Sequence, residues 1–252
     1  MTGPVPPGPF QRRGGAAGDR PDPAALAAVA RNWDRRAPGY HRYYQSYPEL
    51  ARDRWRDLFA AAIGELLNRS ERPLRVLDVG SGTGFVATVL AELGHQVTAV
   101  DGSERMLEHA HAEASRRGVT VDWRLGDAHQ PPGADFDLVT ARYVLWTLPA
   151  PATAVTAWAG ALRPGGAILI ADGRWHGVRQ LLATPRLIPG AVRDYLAMGR
   201  TLPHFAGVTA AQTSSLLRSA GFRHPRTFDQ LLGAEVRPHG TDVFVLGAVA
   251  GH

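Results

Sequence analysis

Residues 75 to 103 read RVLDVGSGTGFVATVLAELGHQVTAVDGS. Val76, Leu77 and Val79 form a short apolar run, and Gly80, Gly82 and Gly84 follow at alternate positions. Phe85, Val86, Val89, Leu90 and Leu93 then recur at helical spacing, and a second apolar run ends at Asp101. The pattern predicts strand, glycine turn, helix and strand. This is half of a nucleotide-binding α/β unit, although the glycine pattern taken alone also fits a simple turn.

Glycines in such a turn reach backbone angles closed to other residues and let a ligand approach the main chain. A carboxylate ending the next strand can accept two ribose hydroxyls, which points to Asp101. Phe85 stands where a dinucleotide fingerprint needs a small residue for close packing, and the lysine-containing end of a phosphate loop is absent. Asp78, two residues before the first glycine, suits an ammonium group or backbone donors and would repel a pyrophosphate. A zwitterionic, sulfonium-bearing adenosine ligand fits this mixture best.

Over roughly residues 30 to 250 the chain resembles the class I S-adenosylmethionine-dependent methyltransferases, in their small-molecule, methyltransferase type 11-like branch. The signature is VLDVGSGTG at 76 to 84. GDA at 126 to 128, FDLVTARYVLWTL at 136 to 148 and LRPGGAILIADG at 162 to 173 follow in the family's order. The resemblance implies a doubly wound, seven-stranded Rossmann-like sheet of order 3-2-1-4-5-7-6 with strand 7 antiparallel. It implies S-adenosyl-L-methionine as donor and S-adenosyl-L-homocysteine as product. The glycine turn of Gly80, Ser81 and Gly82 would lie beside the methionine part, Asp101 would hold the ribose, Asp127 would reach the adenine amino group beside Ala128, and Asp78, Gly102 and Met106 would be further cofactor contacts. Tyr40, in the family-like RAPGY segment, would cover the methionine portion, and Arg142, just after strand four, would bind its carboxylate or an anionic substrate.

With 252 residues the chain can build a sizeable core within one domain. The absence of cysteine excludes disulfides and thiolate chemistry and fits a cytoplasmic protein. The opening segment lacks the apolar core of a signal peptide, and its Pro, Gly and Arg content predicts a flexible tail over 1–22. A single methyltransferase domain is expected over 23–252, with a helical cap at 23–70 and a substrate-cover insertion at 174–213. Helices are expected at 24–36 and 48–67, separated by the aromatic segment APGYHRYYQSYP. Strand three is expected at 119–123, and the last two strands at RTFDQL and DVFVLGAVA. Formal charge is +5, but the basic residues are scattered, so a nucleic-acid partner is not expected. No stretch approaches the ~20 apolar residues of a membrane span. A small-molecule acceptor is the expected partner, and a homo-oligomer stays open.

Methyl transfer needs a nucleophile in line with the sulfonium methyl group, so positioning supplies much of the acceleration. A base matters where the acceptor must lose a proton. His41, in the aromatic segment, and His204, in the expected cover, are the candidate catalytic residues because a neutral imidazole accepts a proton near physiological pH. Each has a packing role as its alternative. Tyr143 and Trp146 are candidates for the mouth of the site or for its core. Asp127, His129, Asp172 and His176 lack metal-ligand spacing, and metal-free transfer is expected. The expected reaction is methylation of oxygen or nitrogen on a small aromatic or hydrophobic metabolite. High Ala, Arg, Gly and Pro content resembles that of high-GC bacteria, where many such enzymes tailor specialised metabolites, antibiotics among them. Methylation at carbon, a macromolecular acceptor, and a cofactor-binding protein without activity are the alternatives.

Overall fold

The computed structural model describes residues 21–68, 72–175, 199, 201–233 and 241–251. Two helices come first, α1 at Pro23–Gln45 and α2 at Glu49–Leu66. They lead into β1 (Arg75–Val79), α3 (Phe85–Glu92), β2 (Gln96–Asp101), α4 (Glu104–Arg117), β3 (Asp122–Leu125) and β4 (Phe136–Arg142). A 3₁₀ turn at Leu145–Thr147, α5 (Pro151–Ala161), β5 (Leu162–Trp175), α6 (Ala210–Ser219), β6 (Phe222–Thr227) and β7 (Thr241–Ala250) complete the order. The seven strands form one sheet, β3-β2-β1-β4-β5-β7-β6, in which β7 runs antiparallel to both β5 and β6. This is the expected order. The expected tail lies outside the described residues except for Pro21 and Asp22, as do His176 and most of the expected cover at 174–213.

Each sheet face carries its own core. Val76, Ala99 and Leu138 pack with Trp55, Phe59 and Leu90 beneath α2 and α3. Leu77, Val79 and Val139 point the other way, against Trp158 of α5 and Leu217 of α6. The alternation along β1 and β4 is what a strand buried on both faces requires. At the amino-terminal edge of the sheet the buried Asp137 accepts from the guanidinium groups of Arg72 and Arg163 and, at 2.8 Å, from the Arg75 N–H. This clamp ties the starts of β1, β4 and β5 together.

Three local expectations are corrected. Helix α1 does not stop before the aromatic segment but continues through Pro38 to Gln45. Pro38 forgoes one ladder bond, and packing of the segment's rings holds the helix: Tyr40 lies 5.7 Å from Trp33, and Tyr44 lies 5.1 Å from Phe85. Strand three begins at Asp122 because Gly118, left-handed at φ 68°, closes α4 and lets the Val119 N–H bond back to Ala114 O at 3.1 Å. Strand six is shifted upstream of RTFDQL. Gly221 turns the chain directly from α6 into Phe222, and Asp229–Leu231 coil into a 3₁₀ turn whose Asp229 carboxylate accepts the Val245 N–H at 2.7 Å.

Candidate active site

The carboxyl ends of β1, β2, β3 and β4 converge on one cavity of about 360 Å³, at the point where the strand order reverses between β1 and β4. That is where open α/β sheets bind ligands, and the volume falls in the range of small-molecule sites. Tyr40, Gly80, Gly82, Asp101, Gly102, Met106, Asp127, Ala128 and Arg142 line it together. Leu26, Ala30 and Trp33 of α1 form a further wall, as do Val144, Thr147 and Leu148 beyond β4.

The glycine turn is shaped for close approach. Gly80 sits at φ 61°, and a Cβ there would meet Val144 Cγ2 at 2.6 Å. Gly82, at φ 54°, has no atom nearer to such a Cβ than Tyr40 Cε1 at 3.8 Å, so its open side is cavity space that a side chain would fill. The Gly82 N–H donates to Asp101 Oδ2 at 2.8 Å, and the Ser103 N–H donates to Asp101 Oδ1 at 2.9 Å. Burial pushes the Asp101 carboxyl up to about 6 against these two donors. Both oxygens keep lone pairs for hydroxyl donors from the cavity. Ser103 also caps α4, accepting the Met106 N–H at 3.1 Å, as its position before the helix predicts.

At the end of β3 the Asp127 Oδ1 accepts the backbone N–H of His129 at 2.9 Å and lies 2.6 Å from His129 Nδ1. Trp158 on α5 donates to Ala128 O at 2.7 Å and fixes the same loop from below. At the end of β4 the Arg142 guanidinium is wrapped by rings, with its carbon 4.3 Å from the centroid of Phe85, 4.9 Å from Tyr44, 5.1 Å from Tyr143 and 5.2 Å from Trp55. Burial opposes its charge, yet the surrounding tyrosines hold its pKa above the ordinary value. Burial likewise holds the Tyr40 hydroxyl well above its ordinary pKa, so it stays a neutral phenol. The turn after Arg142 places Tyr143 at φ 59° and is braced by buried Asp172, whose carboxylate accepts from Leu145 N–H at 3.0 Å and Gly173 N–H at 2.8 Å. Burial pushes Asp172 up to about 7.

Four of the expected site residues do not reach the cavity wall. Asp78 is buried one step below it, accepting Thr140 Oγ1 at 2.8 Å through Oδ1, with Oδ2 lacking a hydrogen-bond partner among the described residues. Desolvation pushes its carboxyl up to about 7. Ser81 is buried in the turn. His41 is carried past Tyr40 to another side of α1, where it stacks on His109 of α4 with centroids 4.3 Å apart and lines a separate crevice with Arg52, Glu113 and Arg117. His204 lies in the turn before α6. Its neighbour Phe205 contacts Trp146 at 6.4 Å, and Trp146 contacts Trp33 of the cavity wall at 5.8 Å. Burial lowers the His204 pKa, and that of His41 falls through burial first and then the adjacent His109.

The α1 wall lies within the expected helical cap at 23–70, though none of its residues is singled out there. Its signal is the spacing of Leu26, Ala30 and Trp33 at i, i+4 and i+7, a single helix face that continues toward Tyr40.

Residues 77–170 match the family model described as a methyltransferase domain. The ubiquinone biosynthesis O-methyltransferase of Xanthomonas euvesicatoria is 33% identical over 158 residues, covering 59% of this chain and 62% of that protein. The enzyme of the same name from Thiobacillus denitrificans is 32% identical over 151 residues, covering 56% and 61%. The chain thus spans about three fifths of the length of these curated relatives. In fold it is similar to the magnesium protoporphyrin IX methyltransferase of Synechocystis, solved with bound S-adenosylhomocysteine (TM-score 0.62, 18% identity, 90% of this chain and 99% of that one). The cyclase SpnF shares the fold at a TM-score of 0.54 and 20% identity, over 77% of this chain and 80% of that one.

Proposed function

We propose that this chain, which belongs to the class I S-adenosylmethionine-dependent methyltransferases, transfers a methyl group to an oxygen of a small aromatic or hydrophobic metabolite. The observation that carries the reading is the convergence of Asp101, Asp127, Arg142 and the open face of Gly82 on one cavity at the switch point of the sheet. These groups fit the donor by their chemistry. Asp101 offers acceptors for the ribose hydroxyls, Asp127 an acceptor for the adenine amino group, and Arg142 a cation for the methionine carboxylate.

When bound, S-adenosyl-L-methionine supplies an activated methyl carbon on a sulfonium centre and leaves as S-adenosyl-L-homocysteine. The protein's own part is to orient and to exclude water. The α1 residues Leu26, Ala30 and Trp33 give the cavity an apolar wall, and Tyr40 spans the open side of Gly82. Of the two candidate bases, His204 suits proton acceptance better. Burial favours the neutral form of both, and what separates them is position: the Phe205–Trp146–Trp33 contacts join the His204 segment to the rim of the cavity. His41 faces a crevice away from the donor groups.

Oxygen rather than nitrogen is favoured by the two relatives, whose names are those of O-methyltransferases. No helix among the described residues is long and apolar enough to cross a membrane. The test is incubation of the purified protein with methyl-labelled S-adenosylmethionine and a panel of phenols, catechols and aryl amines, read by mass spectrometry. Label on phenolic oxygen supports the proposal. Tight binding of S-adenosylhomocysteine with no label on any acceptor would favour a non-transferring protein.

A further inference from the structure

We infer that His129 is a positioning residue for base recognition: it fixes the Asp127 carboxylate so that the cavity selects adenine over a base bearing a carbonyl in place of the amino group. The inference rests on the reading that Asp127 meets the adenine of the donor. His129 does not line the cavity. It is buried at 6% exposure, and its Nδ1 lies 2.6 Å from Asp127 Oδ1, the same oxygen that accepts the His129 backbone N–H at 2.9 Å. An ionised carboxylate can only accept, so Nδ1 carries the proton in this contact. The other ring nitrogen, Nε2, is buried without a partner among the described residues, so the imidazole has no competing tie.

Oδ1 is therefore held from two directions by one residue. The Gln130 N–H on Asp127 O at 2.9 Å and Trp158 Nε1 on Ala128 O at 2.7 Å hold the backbone beneath it. Rotation about the Asp127 side chain is removed, and Oδ2 is the oxygen left for the cavity. Fixed direction is what gives the carboxylate discriminating power. The adenine amino group donates to it, whereas the 6-carbonyl of hypoxanthine presents an acceptor to an acceptor. Hypoxanthine also carries a donor one ring position away, at N1. A carboxylate free to swing can follow that donor and bind both bases, while a clamped one cannot.

The experiment is calorimetry of S-adenosylhomocysteine and S-inosylhomocysteine against the wild type, His129→Leu, His129→Phe, His129→Asn and Asp127→Asn, each with its melting temperature recorded. The wild type is expected to prefer the adenine ligand at least tenfold. His129→Leu and His129→Phe, which keep only the backbone tie to Oδ1, should lower the ratio several-fold, and His129→Asn, which keeps a side-chain donor, should retain most of it. In an Asp127→Asn background, His129→Leu should change the ratio no further. A folded His129→Leu or His129→Phe protein with the wild-type ratio overturns the inference. Imidazole nitrogen NMR of the wild type reads the tautomer without any substitution: a proton on Nδ1 of His129 is expected, and a proton confined to Nε2 overturns it. Failure of the wild type to bind S-adenosylhomocysteine at all would instead defeat the donor reading, and this role with it.

Discussion

The Ser103 hydroxyl donates to Asp34 Oδ1 across 2.6 Å, joining cap helix α1 to the loop whose Asp101 faces the donor cavity. The same hydroxyl oxygen accepts the Met106 N–H, so one atom pair couples the cap to the start of α4. Asp34→Ala should leave global stability within about 1 kcal/mol, because Ser103 still caps its helix. It should loosen the wall formed by Leu26, Ala30 and Trp33 and weaken S-adenosylhomocysteine binding several-fold. Ser103→Ala loses both ties, and the missing cap alone should cost about 0.5–2 kcal/mol. Denaturant titration with calorimetry separates the two effects, and faster amide exchange confined to α1 in Asp34→Ala would locate the first.

Asp101 predicts opposite pH trends for stability and for ligand affinity. Its folded pKa, about 6, lies above the roughly 3.9 of an unperturbed aspartate. The folded state therefore holds the proton more tightly, and this group's stabilising contribution is present below about pH 4 and lost as pH rises through about 6. Binding runs the other way, since the ionised form accepts ribose hydroxyls. Affinity for S-adenosylhomocysteine should be about tenfold weaker at pH 5 than at pH 7 if only the ionised form binds. Calorimetry across that window should show the step, and Asp101→Asn should flatten it.

Gly80 and Gly82 should fail for different reasons. An added methyl at Gly80 collides with Val144 at 2.6 Å, so Gly80→Ala should destabilise the fold by about 1–3 kcal/mol, with the turn before α3 displaced. At Gly82 the methyl points into open cavity, and its main folding cost is the positive φ, about 1–2 kcal/mol. Its larger effect should be on donor binding. Melting temperature paired with S-adenosylhomocysteine affinity distinguishes them: Gly82→Ala should lose more than tenfold in affinity while remaining folded.

Most of what local chemistry controls was legible in the sequence. The βαβ run and the Ser103 cap follow from period and turn residues, because each is settled by a few neighbouring side chains, whereas the strand order is non-local and was implied by the family resemblance alone. The course of α1 through Pro38 was not legible, since tertiary ring packing against Phe85 overrides a local helix breaker. The direction in which His41 points was hidden for the same reason. Its place beside Tyr40 in the sequence suggested the active site, but on a continuous helix consecutive residues face different directions, and His41 meets His109 instead. Asp78 showed the converse, with position in the motif legible and depth below the cavity not.

Asp137 separates stability from function. Burial alone would raise its pKa, but Arg72, the Arg75 N–H and Arg163 together hold it below the ordinary carboxylate range. Its stabilising contribution is present above about pH 4 and lost as pH falls below the folded value. Asp137→Ala removes the anion from a clamp at the opposite end of the strands from the cavity and should cost about 1–3 kcal/mol at neutral pH, since the Arg75 N–H loses its acceptor while Arg72 and Arg163 keep contact with solvent. Urea unfolding at neutral and acid pH should show that penalty shrinking on acidification. The folded fraction should bind S-adenosylhomocysteine as the wild type does.

The two histidines can be told apart by which kinetic constant moves. If His204 accepts the acceptor's proton, His204→Ala should lower kcat by about 10² to 10⁴ while leaving the donor KM unchanged. The loss should shrink for phenols acidic enough to be ionised before they bind, because a preformed phenolate needs no base. A purely structural role for His204 would reduce turnover of acidic and weakly acidic phenols alike. His41→Ala removes only the stack on His109 and should keep kcat within about threefold, since surface and crevice substitutions away from the chemistry are usually mild. Comparing both variants across a series of substituted phenols of graded acidity makes the distinction, and a steep acidity dependence in His41→Ala rather than His204→Ala would reverse the assignment.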